Sequence, residues 1–238
     1  MLANVINAIT VIFGSFIGIV FKKNINTKIT DALVTALALV VAVLGIMGAI
    51  ATADALGMVI CMAVGTLIGE VCDLDGWLTR FAEFLKGIVE PKGKGESSGN
   101  FTQGFISATL TFCIGSMAIM GSMEAGINGN MSIILSKSVI DCVTAVSFAT
   151  ALGVGVAFSA IPVLVYQGAM TLLASVVAPL LSAAVINEIS AVGSIMMIGI
   201  AINLLGLGKE IKVANMLPAM FLPVVYQPLA QWLSQLVG

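Results

Sequence analysis

Long apolar runs separated by short polar segments dominate the chain. A membrane-spanning helix needs about 20 apolar residues, because the hydrocarbon layer is about 30 Å thick and each helical residue rises about 1.5 Å. Eight runs are long enough, and we predict that they form an all-α, polytopic bundle of about eight transmembrane helices. The predicted spans cover residues 3–21, 33–53, 55–72, 103–123, 131–152, 154–178, 189–207 and 213–236.

The segment after the third run has a different pattern. Between residues 74 and 88 its apolar side chains recur at the spacing of one helix face, and Asp75 is the expected N-cap. This pattern predicts a cytoplasmic amphipathic helix that lies on the membrane surface; docking of a partner protein is the alternative use of the same face. We expect the helix to end at Pro91 and residues 92–100 (KGKGESSGN) to form a flexible linker. The predicted apolar face comprises Leu74, Trp77, Leu78, Phe81, Phe84, Leu85 and Ile88.

The composition agrees with a location in lipid. Of the 238 residues 59% are hydrophobic and 9% are charged, whereas a soluble domain carries about 25% charged residues. These values argue against a soluble enzyme and a disordered protein, and the net charge of −2 offers no basic face to nucleic acid. The expected partners are membrane lipid and a small solute or ion. We predict one transmembrane domain over 1–238, with spans in 1–72 and 101–238 and the amphipathic helix and linker in 73–100.

Lysine and arginine predict the orientation, because loops on the cytoplasmic side of a membrane carry an excess of them. Nine of the ten basic residues follow the first, the third or the seventh span. A single topology places all nine in the cytoplasm, and in it both chain termini are outside. The exception is Lys137, which lies within the fifth span.

Lys137 and Asp141 are the candidate chemistry of the molecule. Their i, i+4 spacing places them on one face of the fifth span, with Ser138 beside them, and charged groups at such a depth normally face protein or water. One interpretation is a buried ion pair that only fixes helix packing. The other is a substrate- or ion-binding pair, in which Asp141 accepts a proton or a cation and Lys137 is its alternating partner.

Breaks in the apolar helices predict a polar cavity in the second half of the chain. Pro162 in the sixth span, Pro218, Pro223 and Pro228 in the eighth, and the glycine-rich centre of the fourth each free backbone carbonyls that neighbours or water must satisfy. For each break alone, simple packing is the competing interpretation. The candidate binding residues are Lys137, Asp141, Ser138, Gln167, Asn203, Asn215 and Ser116.

Small residues at intervals of four predict close helix packing. Gly14 and Gly18 in the first span, and Gly65 and Gly69 in the third, form small-x-x-x-small faces that could pack within the chain or form a homodimer. Gly14 and Gly45 are separated by the same interval as Gly168 and Gly199, and these two segments run in opposite directions. This match suggests an inverted repeat of the kind found in transporters, although a glycine-rich apolar composition also explains it.

The sequence offers no evident catalytic or metal centre. It contains no histidine, and its four cysteines form no CxxC pair, so we expect no metal site and no cofactor. No serine has an evident general base apart from Lys137. We therefore expect that the protein is not an enzyme.

Four segments closely resemble the YqgA-like family of bacterial membrane proteins. They are FCIGSMAIMG (112–121), KSVID (137–141), IPVLVYQG (161–168) and VANMLP (213–218), and the resemblance also includes Asn7. It implies a multi-pass protein of the bacterial plasma membrane, in a family of unknown function for which transport is often suspected. It provides no catalytic or ligand residue. Two departures from the family pattern are Ser116, where proline or alanine is expected, and Cys142, where glycine is expected.

Three functions fit the sequence. The leading hypothesis is a secondary transporter or ion-coupled permease for a small solute, because the spans contain a buried charge pair and breaks, and no GxxxxGK[ST] nucleotide motif is present. A passive channel and a non-transporting scaffold are the alternatives. A channel would need a continuous polar pore, whereas a scaffold would have a dry interior around Lys137.

Overall fold

The computed structural model describes residues 1–22, 26–89 and 98–237, and its regular elements are all helices within these ranges. The first half contains α1 (Leu2–Lys22), α2 (Thr27–Ala49), α3 (Ala55–Cys72), α4 (Leu74–Val89), α5 (Ser98–Cys113) and α6 (Ser116–Ile127). The second half contains α7 (Ser132–Leu152), α8 (Gly155–Phe158), α9 (Ala160–Leu172), α10 (Ala174–Val177), α11 (Ala183–Leu205), α12 (Leu217–Phe221) and α13 (Pro223–Val237), with 3-10 turns at Ala178–Leu180 and Val213–Met216. The prediction of an all-α polytopic bundle is confirmed.

Six of the described helices are long and apolar enough to cross a membrane, and the number rises to eight if each of two bent helix pairs is one span. The third and fifth predicted spans agree with α3 and α7 to within one residue. The second and seventh spans start about six residues earlier than predicted, at Thr27 and Ala183. Polar residues are tolerated there because the side chains of Asn26 and Ser182 cap these helices.

The fourth and eighth spans are each divided into two helices. In the fourth, residues 101–113 and 116–127 meet at an angle of 60°, and Gly115 at the break has φ 122°, a conformation that favours glycine. In the eighth, Val213–Phe221 and Pro223–Ala230 meet at 40°. Gly115 and Pro223 lie at these two breaks, as predicted, whereas Pro218 lies in the first turn of α12 and Pro228 lies inside α13 without dividing it. The sixth span differs from its prediction, because Pro162 lies in the first turn of α9, where a missing N–H costs little, and the helix is interrupted before it, at Ser159.

Helix α11 is the centre of the bundle, because 72% of the residues in its most apolar 18-residue stretch are buried. The small-residue faces allow other helices to approach closely. A Cβ atom on Gly14 or Gly18 would collide with the backbone of α7, and one on Gly65 or Gly69 would collide with the backbone around α12. Both faces are therefore used within one chain. Gly45 of α2 lies against α11 in the same way. These contacts do not test the inverted repeat, which stays a prediction.

Apart from Lys137 in α7, the described basic residues lie at one end of the bundle, which we call the basic end. Contacts between helix ends show this grouping. Lys22 at the end of α1 donates to the carbonyl of Ala151 at the end of α7, 3.2 Å away. Lys212 forms an ion pair with Glu70 near the end of α3, with 3.3 Å between Nζ and Oε1. The start of α1 lies at the opposite end. This grouping is the one that the predicted topology requires.

The predicted amphipathic helix is α4, and it lies at the basic end. One flank of its apolar face, including Ala82 and Leu85, packs against Phe101 and Phe105 of α5. The other flank comprises Trp77, Phe84 and Ile88, which are 64–67% exposed.

Two predicted details of this segment differ. Asp75 lies within the first turn of α4, because the preceding Asp73 ends α3 with φ 49° and its carbonyl accepts from Trp77 N–H. Of the predicted linker 92–100, residues 98–100 are the first residues of α5. The remainder of the linker and Pro91 lie outside the described residues.

Candidate functional site

A buried ion pair lies in the middle of α7. The ammonium of Lys137 contacts the carboxylate of Asp141, and each residue is 5% exposed. At 1.5 Å per residue, Lys137 lies about 8 Å and Asp141 about 14 Å from the start of the helix. The Lys137 Nζ atom also lies 5.9 Å from the centre of the Phe112 ring, two residues before the α5–α6 break. The pair thus adjoins a broken span.

Asn7 of α1 connects this pair to α9. Its Nδ2 atom is 3.1 Å from Asp141 Oδ2 and 3.1 Å from Gln167 Oε1. Asn7 and Gln167 are both fully buried. The carboxylate therefore has partners on two helices, and any change in its charge affects the contacts among α1, α7 and α9.

The polar contacts extend toward the opposite end of the bundle. Asn4 Nδ2 donates to Thr171 Oγ1 at 2.9 Å and to the Gln167 carbonyl at 3.2 Å, and Thr171 Oγ1 donates to the Ser122 carbonyl at 3.1 Å. This chain of hydrogen bonds leads from the centre of α7 to the last turn of α9 and the middle of α6. We name the resulting group of side chains the central cluster, which consists of Asn4, Asn7, Lys137, Asp141, Gln167 and Thr171.

The central cluster is incompletely hydrogen-bonded. Within the described residues, eight buried side-chain atoms have no hydrogen-bond partner, and seven of them belong to α1, α5 and α9. A buried polar atom without a partner costs about 1–3 kcal/mol. Asn4 Oδ1, Asn7 Oδ1 and Gln167 Nε2 belong to the cluster. The others are Ser15 Oγ, Thr109 Oγ1, Thr111 Oγ1, Tyr166 OH and Ser190 Oγ.

Of the seven predicted site residues, Lys137, Asp141 and Gln167 come together in the central cluster. Ser138 is buried beside them, but its hydroxyl donates to the Ile134 carbonyl of its own helix at 2.8 Å. Ser116 is the first residue of α6, directly after the break. No hydrogen bond of the described residues joins the Ser116 side chain to the cluster.

The other two predicted residues, Asn203 and Asn215, lie apart from the cluster, at the basic end. Asn203 binds the backbone of Ile211 twice, with Nδ2 2.7 Å from its carbonyl and Oδ1 2.9 Å from its nitrogen. Asn215 Oδ1 accepts from Asp75 N–H at 2.7 Å, and its Nδ2 donates to Glu70 at 2.6 Å. Both amides therefore hold the segment between α11 and α12 in place.

The sequence analysis missed the buried carboxylate of Glu188. This residue is 4% exposed and accepts from the Thr52 hydroxyl at 2.5 Å and from Ala53 N–H at 2.8 Å. It thereby ties α11 to the turn between α2 and α3 at the opposite end of the bundle. Because the predicted seventh span began at residue 189, Glu188 fell outside it; an acidic residue within the apolar stretch 183–205 was the available signal.

The groups of the central cluster are of the kinds that bind small charged ligands. It contains one carboxylate, one ammonium, one hydroxyl and three amide side chains, and three of the amide atoms have no hydrogen-bond partner. Among the described residues, no group of three or more histidine, cysteine or acidic side chains is placed to hold a metal ion. Exchange of a proton or a cation at the carboxylate is the simplest chemistry that this set of groups supports.

Comparison with known proteins identifies relatives along nearly the whole chain. The chain is 30% identical over 230 residues to the "Uncharacterized membrane protein YdfK" of Bacillus subtilis, covering 94% of this chain and 95% of that protein. It is 29% identical over 217 residues to the "Uncharacterized protein YqgA" of Escherichia coli, covering 91% and 92%. No solved structure matches. The model of the family "Protein of unknown function (DUF554)" matches residues 2–227, and the chain therefore belongs to this family of multi-helix membrane proteins.

Proposed function

We propose that this protein is an ion-coupled secondary transporter for a small solute, and that the central cluster is its binding site. The observation that carries the proposal is the buried Lys137–Asp141 pair, held by Asn7 and Gln167 from two other helices, beside amide atoms that lack partners. Charged groups within membrane helices are costly, and transport is a common reason for their presence.

In the proposed cycle, Lys137 acts as a tethered cation that competes with the transported or coupling cation for Asp141. When a proton or another cation occupies the carboxylate, the ammonium is released from it and the Asn7 contact changes. Since Asn7 also donates to Gln167, the exchange alters how α1 and α9 meet α7. A ligand can shift a conformational equilibrium only through such differences in contact between two states.

The two broken spans support this function. Discontinuous helices line the substrate sites of many secondary transporters, where they expose backbone groups near the middle of the membrane. The α5–α6 break adjoins the cluster through Phe112, whose ring lies beside Lys137. Movement of α6 relative to α5 would therefore act directly on the ion pair.

We further propose that the protein lies in the bacterial plasma membrane with both termini outside. The basic end carries the described lysine and arginine residues apart from Lys137, and this end faces the cytoplasm in the proposed orientation. The two relatives named above come from bacteria. A homo-oligomer stays compatible with this arrangement, with lipid as the surrounding partner.

A purely structural role is the second candidate. The 5% exposure of Lys137 and of Asp141 favours it, because a pair that never meets water could only stabilise the bundle. In that case Asn7 and Gln167 would serve to satisfy the carboxylate and nothing more. The two candidates differ in whether the pair opens during a functional cycle.

A flux assay tests the proposal. The purified protein is reconstituted in vesicles that contain a pH-sensitive dye, and solutes of four classes (amines, amino acids, carboxylates and sugars) are added outside under proton and sodium gradients. We expect one class to drive ion movement that protein-free vesicles lack. Solute movement that is independent of both gradients would indicate a channel, and the absence of any flux across all four classes would contradict the proposal.

A further inference from the structure

A cleft of about 900 Å³ opens at the basic end, away from the central cluster. Its walls are the polar face of α4, the first half of α5, the end of α11 and the segment that follows α11. Its size is that of a pocket for a small organic molecule, because ligand sites commonly measure about 300–1,000 Å³. Neither Lys137 nor Asp141 lines it. The lining residues used below are Asp75, Glu83, Ser107, Lys209 and Glu210, besides Asp73 and Lys212.

The cleft is acidic although it lies among the basic residues of this end. Two of its charged lining residues are already paired: Asp73 with Arg80 at 2.9 Å, and Lys212 with Glu70 at 3.3 Å. The remaining charged lining residues are the carboxylates of Asp75, Glu83 and Glu210 and the ammonium of Lys209. None of these four groups forms an ion pair within the described part of the chain. The local charge therefore favours a cation.

The walls also contain a hydroxyl that has no hydrogen-bond partner, on a side chain that is otherwise buried; unlike the eight fully buried atoms named above, its oxygen is accessible from the cleft. Ser107 is 5% exposed and lines the cleft, and its hydroxyl forms no hydrogen bond with any described residue. Hydroxyls on side chains that are buried to this degree normally have a partner in the protein or in water. A hydroxyl that faces a cleft without one is suited to bind a polar group of a ligand.

The segment between α11 and α12, which forms one wall of the cleft, is held in place by hydrogen bonds at two points. Asn203 binds both backbone groups of Ile211, and Asp75 N–H donates to Asn215. The Asp75 carboxylate lies near the backbone N–H of Ala214. Burial raises the pKa of Asp75; Glu210 and Asp73 raise it further, while the Ala214 N–H and Lys212 lower it. A positive charge near Asp75 would relieve this cost.

We propose that this cleft binds a small organic cation, which places its ammonium among Asp75, Glu83 and Glu210 and a hydrogen-bonding group near Ser107. A bare metal ion fits less well, because the three carboxylates lie on separate turns or segments and the described residues form no group that could hold a metal. The site stands whether or not the protein transports a solute.

Binding in detergent tests the site separately from transport. Calorimetric titration of the purified protein uses 1,4-diaminobutane as the cation and succinate as an anion of equal length. We expect the diamine to bind and succinate not to bind. Glu210→Gln should weaken diamine binding about two- to fivefold, as loss of an exposed charge pair does, and Asp75→Asn about tenfold. Glu124→Gln, at the opposite end, should leave the affinity unchanged.

Each other outcome overturns the proposal. Equal binding of succinate would mean that charge does not select the ligand, and no binding of the diamine would mean that the cleft is not a cation site. Glu210 is exposed and lies on the loop after α11, so Glu210→Gln remains informative if Asp75→Asn fails to fold. Unchanged affinity in Glu210→Gln and Glu83→Gln would equally contradict the assignment. A positive result combined with no flux in vesicles would leave this site valid and the transport proposal wrong.

Discussion

Removal of one partner of the central ion pair should destabilise the protein far more than removal of both. In Asp141→Asn the ammonium of Lys137 stays buried without a negative charge beside it, because the amide that replaces the carboxylate is neutral and the Phe112 ring is 5.9 Å away. In Lys137→Met the carboxylate keeps one donor, Asn7 Nδ2 at 3.1 Å. Breaking a buried pair in this way costs about 3–5 kcal/mol, whereas replacing both partners by neutral groups is often close to neutral.

The assay is unfolding of the purified protein in mixed micelles by a denaturing detergent, which gives a free energy of unfolding for each variant. We expect Asp141→Asn and Lys137→Met each to lose about 3–5 kcal/mol and the double variant Lys137→Met/Asp141→Asn to lie within about 2 kcal/mol of the wild type. Ser138→Ala is the matched control, because its hydroxyl bonds only to its own helix, and should lose less than about 1 kcal/mol.

Two results would refute this reasoning. If each single variant lay within about 1 kcal/mol of the wild type, the pair would not be buried and mutually dependent. If the losses of the single variants simply added in the double variant, the two charges would not interact. The double variant also separates the two candidate functions, since the transporter account requires it to fold and yet to lose ion-coupled flux.

Three further predictions concern packing, the opposite end and the orientation. Gly14→Ala should lower the free energy of unfolding by about 2 kcal/mol or more, because its Cβ would overlap the backbone of α7, whereas Gly87→Ala, with open space around it, should stabilise α4 by up to about 1 kcal/mol. Glu188→Gln should cost about 1.5–3 kcal/mol in the same unfolding assay through its two hydrogen bonds, and a smaller loss would mean that these bonds do not hold α11 to the turn between α2 and α3. A membrane-impermeant maleimide should label the exposed Cys72 only after cells are permeabilised, because this residue ends α3 on the proposed cytoplasmic side. In a cysteine-free background, Asp54→Cys at the other end of α3 should be labelled on intact cells. The reverse labelling pattern would mean that the protein has the opposite orientation in the membrane.

The spans could largely be predicted because hydrophobicity alone determines which segments enter lipid. Helix α7 shows this clearly, since its apolar run ends in the polar segment before Ser132 and at Gly153. The errors came at helix ends, where polar side chains such as Asn26 and Ser182 extend a helix beyond its apolar run. Pattern analysis treats these residues as loop.

The candidate site could be predicted only in part. The i, i+4 spacing was sufficient to place Lys137 and Asp141 on one face, because both lie on one helix. The role of Asn7 depends on α1 packing against α7, which brings together residues 134 positions apart. Asn203 and Asn215 were grouped with the cluster by polarity, but each is near a helix end and binds backbone there.

The central claim is that Asp141 couples ion movement to solute movement, and the most direct measurement is solute-driven ion flux into vesicles containing either wild type or Asp141→Asn. With the solute class found active for the wild type, the account predicts that Asp141→Asn retains less than about a tenth of the flux and that Glu124→Gln, folded to the same extent, retains it in full. Wild-type flux with unchanged ion dependence in Asp141→Asn would contradict the account.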